Sequence, residues 1–323
     1  MLKNWVTNLA VYGLAAAIIW YLARDIPLSQ LWHNLQLARL WIFIPACLGS
    51  FVIWFVGETF LFACLFSFFH QRTSFREMIA PNAAQYFLQL INLAAAGAAL
   101  VLFLHRRKAA PWLTATVTML FQSFIDFQVL MVLALLGAIC QPHSMLGAKW
   151  PYAAGALAVA WTIVWFWHRG RPRWRPLRWL YDRPSMASFR QASAFEYMLL
   201  AAIRTPIFAG QGLMLFFQML AFGIHAPFRT VMGYTPAVLL FGGLPITPVG
   251  LGPLQAVLLA GFHDFASKAN LLAMALSISM MNILFRVPMG LGSAGSFARE
   301  VVETQQDEAA EPDEEQSERR AWG

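Results

Sequence analysis

GGLPITPVGLGPLQ, residues 242–255, sits inside an apolar run from Ala237 to Phe262. Seven of the twelve residues from Gly242 to Pro253 are Gly or Pro. A continuous helix does not tolerate that density, because Pro removes a backbone donor and Gly costs conformational entropy. A bilayer offers no water to the backbone groups such a break exposes. The run therefore reads as a re-entrant helical hairpin whose broken middle lines a polar cavity. A kinked full span is the competing reading.

The rest of the chain fixes the setting. Hydrophobic residues make up 59% of the 323 positions and charged residues only 12%, against about 25% charged in soluble domains. Apolar runs long enough to span a bilayer occur at 5–23, 41–67, 112–140, 151–167, 196–222 and 270–294. The chain reads as an all-α polytopic membrane protein. Lys3 precedes the run at 5–23, which is long for a signal peptide and is read as a retained first helix. Residues 28–40 are amphipathic and fit the membrane interface, as do 70–78 and 183–193.

Two runs, 81–104 and 237–262, could each be a hairpin or a crossing. Basic residues concentrate on the cytoplasmic side of membrane proteins. With both runs as hairpins and the N-terminus inside, inner segments hold sixteen Lys/Arg and outer segments five (Arg24, Arg39, Lys149, Arg229 and Lys268). With both runs crossing, the best division is thirteen to eight. The hairpin arrangement is favoured: about six full spans plus two re-entrant hairpins. Units 41–140 and 196–294 then form an inverted repeat, joined by a basic cytoplasmic linker, 168–195. Such repeats with interrupted segments point to a transporter site. Residues 1–298 form one transmembrane domain. The acidic remainder, 299–323, has no apolar periodicity and reads as a disordered cytoplasmic tail.

Several functions are not expected. The basic residues lie in short loops between spans, so the positive charge is no sign of nucleic-acid binding. Cys47, Cys64 and Cys140 form no metal or disulfide pattern, and no nucleotide-binding or zinc-protease motif occurs. No cofactor, metal or catalytic residue is expected.

At GLPITPVGLGPLQ (243–255) the sequence resembles the membrane domain of lysylphosphatidylglycerol synthases and the wider flippase-like family related to it. Pro245, Gly250 and Gly252 match the family's Pro and Gly-x-Gly, while Gln255 stands where the family usually has Glu. The stretches PNAAQYFLQ (81–89) and HRRKAAPWLTATVTMLFQSFID (105–126) follow the family's order of hairpin, basic pair and helix bearing an acid, here Asp126. The polar Gly-Glu pair usual in that first hairpin is replaced by AAAGAAL (94–100). The resemblance implies movement of a phospholipid or another polar lipid between leaflets of a bacterial inner membrane. Bifunctional relatives carry an aminoacyl-transferase domain after the membrane part. Only the acidic tail follows here, so lipid synthesis by this chain is not expected. The substituted carboxylates favour, somewhat, an accessory protein of a lipid or envelope-glycan pathway that moves no lipid itself. Membrane lipids, anionic phospholipid first, are the expected partners, and a synthase or a second copy also fits.

Charges inside spans are costly and mark functional candidates. They are Glu58, Asp126, Arg204 and Arg286, with Glu196 near the interface. Arg204 and Arg286 each precede a Pro by two residues. They are expected to face one another around the second hairpin and hold a lipid phosphate, which the guanidinium fork suits. Pro245, Thr247, Gly250, Gly252 and Gln255 would floor that cavity. Glu58 and Asp126 would balance the arginines when the site is empty, or meet an aminated headgroup. Two structural ion pairs are the equal alternative. Arg106, Arg107, Arg173 and Arg175 are candidates for meeting anionic headgroups at the inner surface, although basic residues there also serve as a topology signal.

Overall fold

The computed structural model describes residues 20–21, 24, 27–91, 93–108, 110–140, 150–168, 178–179, 181–183, 186–243 and 251–289. All but two residues of the expected first span, residues 169–177 of the basic linker, the centre of the helix-breaking stretch and the acidic tail lie outside them.

The described elements are helices: α1 (Leu28–Leu37), α2 (Leu40–Phe69), α3 (Phe75–Ile91), α4 (Leu93–Lys108), α5 (Trp112–Cys140), α6 (Trp150–His168), α7 (Ala187–Gln191), α8 (Ala194–Ala221), α9 (Phe228–Gly242), α10 (Pro253–Phe262) and α11 (Lys268–Met289). Four of them, α2, α5, α8 and α11, are long and apolar enough to cross a membrane. The 30 residues of α2 would extend ~45 Å, more than the ~30 Å hydrocarbon core, so α2 must tilt or project. Its exposed Trp41, Ile44, Leu48, Val52, Val56 and Phe60 recur every three or four residues. They form one apolar stripe suited to lipid tails.

The opposite face of α2 meets α8. In hydrocarbon, close packing and interhelical hydrogen bonds replace the hydrophobic drive between helices. Gly49 and Gly57 of α2 and Gly210 of α8 let the two backbones approach. The Ser50 hydroxyl donates to Gln211 Oε1 at 2.5 Å, and Gln211 Nε2 returns a bond to the Ser50 carbonyl at 2.8 Å. Position 50 meets 211, 57 meets 207 and 58 meets 204. Numbers rise along α2 as they fall along α8, so these helices are antiparallel. By the same reasoning α5 is parallel to α8, since Phe121 meets Tyr197 edge to face and Asp126 meets Arg204. α2 and α5 are therefore antiparallel, and Phe69 at the end of α2 meets Phe121 in the first half of α5.

Each pair of long helices brackets a pair of shorter ones, α3/α4 and α9/α10. α3 ends at Ile91 and α4 begins at Leu93, and Pro81 lies buried inside α3. There it removes one backbone bond without ending the helix. The second break follows Gly242, and α10 restarts at Pro253 with Pro in the favoured first helical position. Gly252 precedes it with φ 97°, a left-handed conformation that glycine adopts without steric cost. On α9, Gly233 lies so near Gly137 of α5 that a side chain at Gly137 would come within 2.8 Å of its backbone.

Candidate functional site

The polar site is built where α2, α3, α5, α8 and α11 converge. Arg204 lies in the third turn of α8, ~15 Å along its axis. It is 1% exposed. Its Nη2 donates to Asp126 Oδ2 at 2.7 Å, and its Nε lies 2.6 Å from Asp126 Oδ1 without hydrogen-bond geometry. Glu58 Oε1 is farther, 3.5 Å from Nη2. The Trp54 and Phe208 rings flank the guanidinium at 5.1 and 4.8 Å. They contribute cation–π attraction to the buried guanidinium. Gln122, one turn before Asp126 on α5, donates to Asp126 Oδ2 at 2.6 Å.

Glu58 extends the network to the first hairpin. The Tyr86 hydroxyl of α3 donates to Glu58 Oε2 at 2.8 Å. The Tyr86 ring carries the Arg286 guanidinium 5.0 Å from its centroid. Arg286 Nη1 donates to Gln89 Oε1 at 2.5 Å. The sequence places both arginines beside the second hairpin; the structure places Arg286 against the first. It also forms one triad of Arg204 with two carboxylates instead of two separate ion pairs. The four ionised groups still balance, two against two.

The network is not saturated. Among the described residues, Arg204 Nη1, Arg286 Nε, Asn82 Oδ1, Gln85 Oε1 and Gln128 Nε2 are buried without a hydrogen bond. Each such group carries a desolvation cost of about 1–3 kcal/mol unless something binds it. Such groups call for water or a polar ligand.

Of the residues expected to floor the cavity, Pro245, Thr247 and Gly250 lie outside the described residues. Gln255 is fully buried. Its Oε1 accepts from the Gly252 N–H at 2.6 Å and its Nε2 donates to Ser279 Oγ at 3.0 Å. It closes the start of α10 and ties it to α11. Glu196 is engaged in the capping box of α8 with Ser193. Arg106 and Arg107 occupy the last turn of α4. Arg173 and Arg175 lie outside the described residues.

Sequence reasoning passed over Tyr86, Gln89, Asn82 and Gln85, and with them the polarity of the first hairpin. That polarity resides in the α3 arm and not at the apolar tip. The signal was readable: 82, 85, 86 and 89 are spaced i, i+3, i+4 and i+7, one helical face.

No curated protein matches the chain. The family model described as the lysylphosphatidylglycerol synthase TM region matches residues 5–290, across both helix units and the whole polar junction. This chain belongs to that family of helical membrane proteins, associated with lipid metabolism or transport.

Proposed function

We propose that the protein is a lipid flippase-like transporter that moves a phospholipid or related polar lipid between leaflets of a bacterial inner membrane. The observation that carries this reading is Arg286. It is the one described intramembrane cation that no carboxylate directly pairs. It rests on Gln89 and Tyr86 and keeps a buried Nε–H without a partner. A lipid phosphate offers that nitrogen a charge-assisted acceptor. Arg204, held by Asp126 and Glu58, is the fixed post of the same site.

Helix directions support the inverted repeat on which many alternating-access transporters are built. Were 81–104 a single crossing, α2 and α5 would run parallel; they run antiparallel. The second unit behaves alike. Asn270 at the start of α11 donates to the Phe222 carbonyl just beyond α8, and Phe285 near its other end meets Phe51 of α2. At ~22–26 Å for α3, α4 and α9 and ~15 Å for α10, the hairpin arms are shorter than the hydrocarbon core. In this reading both hairpins are re-entrant and both termini are cytoplasmic.

The second reading, an accessory protein for a lipid or envelope-glycan synthase, is favoured by Gln255, a neutral cap where the family resemblance expects an acid. Purified protein in vesicles containing fluorescent phospholipid separates the two. Translocation without any added partner supports the transporter. Intact, folded protein that moves lipid no faster than empty vesicles supports the accessory role.

A further inference from the structure

We infer that Glu58 takes up a proton when a lipid phosphate binds at Arg286, so that each lipid is accompanied by a proton. This rests on the phosphate reading of Arg286 given above and adds the energy coupling to it.

The argument is charge balance. Within the long helices and the two hairpins, the described Asp, Glu, Lys and Arg residues at membrane depth are Glu58, Asp126, Arg204 and Arg286. Their formal charge sums to zero when all are ionised. A phosphodiester brings one negative charge into a site with little water, where an uncompensated charge is expensive. Either a cation enters with it or one carboxylate is neutralised.

Geometry selects the carboxylate. Asp126 Oδ2 accepts from Arg204 Nη2 at 2.7 Å and from Gln122 at 2.6 Å, and its Oδ1 lies in ion-pair contact with Arg204 Nε at 2.6 Å. Glu58 makes only the 3.5 Å contact to Arg204. The groups facing Glu58 are Arg204 from α8, with Asp126 of α5 behind it, Tyr86 from α3, and Arg286 from α11 beyond the Tyr86 ring. A phosphate on Arg286 would bring a second negative charge to the far side of the Tyr86 ring from Glu58, and a proton on Glu58 relieves that repulsion. The proton comes from water and bonds to Oε1, the weakly held oxygen, while Oε2 keeps the Tyr86 hydroxyl. When the lipid leaves, Arg286 again faces Glu58 and the proton returns to water. If entry and exit lie on opposite sides, one proton crosses with one lipid and no bond other than O–H is made or broken.

The test is calorimetric titration of the full chain in detergent with short-chain phosphatidylglycerol at pH 7, in two buffers of different ionisation enthalpy. The buffer dependence gives the protons taken up. About one proton per lipid bound is expected for the unmodified protein. Glu58→Gln, a neutral stand-in for the protonated carboxyl, should bind the probe more tightly and without uptake, and Glu58→Asp should restore the uptake. Binding that depends on Arg286 but takes up no proton would overturn the coupling alone. Uptake that persists in Glu58→Gln would do the same. Absence of binding, or equal binding by Arg286→Gln, would overturn the phosphate reading and the coupling with it.

Discussion

Tyr86 donates its hydroxyl to Glu58 Oε2 at 2.8 Å while its ring lies 5.0 Å from the Arg286 guanidinium. One side chain thus joins the carboxylate of α2 to the arginine of α11, across the first hairpin. Residues 41–140 and 196–294 thus share the polar network at this residue.

Replacing Tyr86 should separate its two roles. Tyr86→Phe keeps the ring under Arg286 and leaves Glu58 Oε2 without a donor, at a cost of about 1–3 kcal/mol. Tyr86→Leu also loses the cation–π contact, a further ~0.5–2 kcal/mol. Unfolding in mixed detergent micelles should rank the three proteins Tyr, Phe, Leu in falling stability. Equal stability of all three would remove Tyr86 from the network.

Arg204 is fixed by two carboxylates, so its loss strands both. Arg204→Ala should destabilise the fold by about 3–5 kcal/mol, the range for breaking a buried pair from one side. Removing the partners together, as Arg204→Met with Asp126→Leu and Glu58→Leu, should recover much of that loss. If the triple variant is the less stable protein, Arg204 is held by something other than these acids.

Gln255 occupies a position where the family resemblance leads one to expect an acid, yet its contacts are those of a helix cap. Gln255→Glu can still accept from the Gly252 N–H, and Ser279 can turn its hydroxyl toward the new carboxylate. Gln255→Leu can do neither. Thermal unfolding in detergent should show the Leu variant weaker by about 1–3 kcal/mol, the cost of an orphaned buried donor. The Glu variant should lie closer to the parent. Leu and Gln proteins of equal stability would contradict the capping role.

At the end of the first hairpin, Lys108 Nζ donates to Glu77 Oε2 at 3.0 Å and holds that carboxyl below its ordinary range. A depressed acid stabilises the fold above its unfolded pKa, near 4.3. That contribution is lost as pH falls through the lower folded value. Because Glu77 is exposed, the effect is small and screened by salt. Unfolding of Glu77→Gln and the parent at pH 7 and pH 3, at low salt, should show the gap between them narrowing at acid pH. A gap that widens would reverse the sign.

The long helices were legible because apolar runs of 22 to 30 residues allow few alternatives in a bilayer. Glu58, Asp126, Arg204 and Arg286 were legible because a charge inside such a run stands out. Their arrangement was not. Whether Arg286 faces the first or the second hairpin depends on the rotation of α11 about its axis, which neither hydropathy nor loop charge encodes. Asn82, Gln85 and Gln89 escaped notice because uncharged polar residues are common in membrane helices and carry no charge to count.

The central claim is that Arg286 contacts the lipid phosphate during translocation, and flipping by Arg286→Gln in reconstituted vesicles tests it most directly. Glutamine keeps a donor for Gln89 and removes the charge. The account predicts that the variant folds, inserts and loses at least tenfold in phospholipid translocation, about 1.4 kcal/mol in the barrier. A folded Arg286→Gln protein that moves phospholipid at the rate of the parent would contradict it.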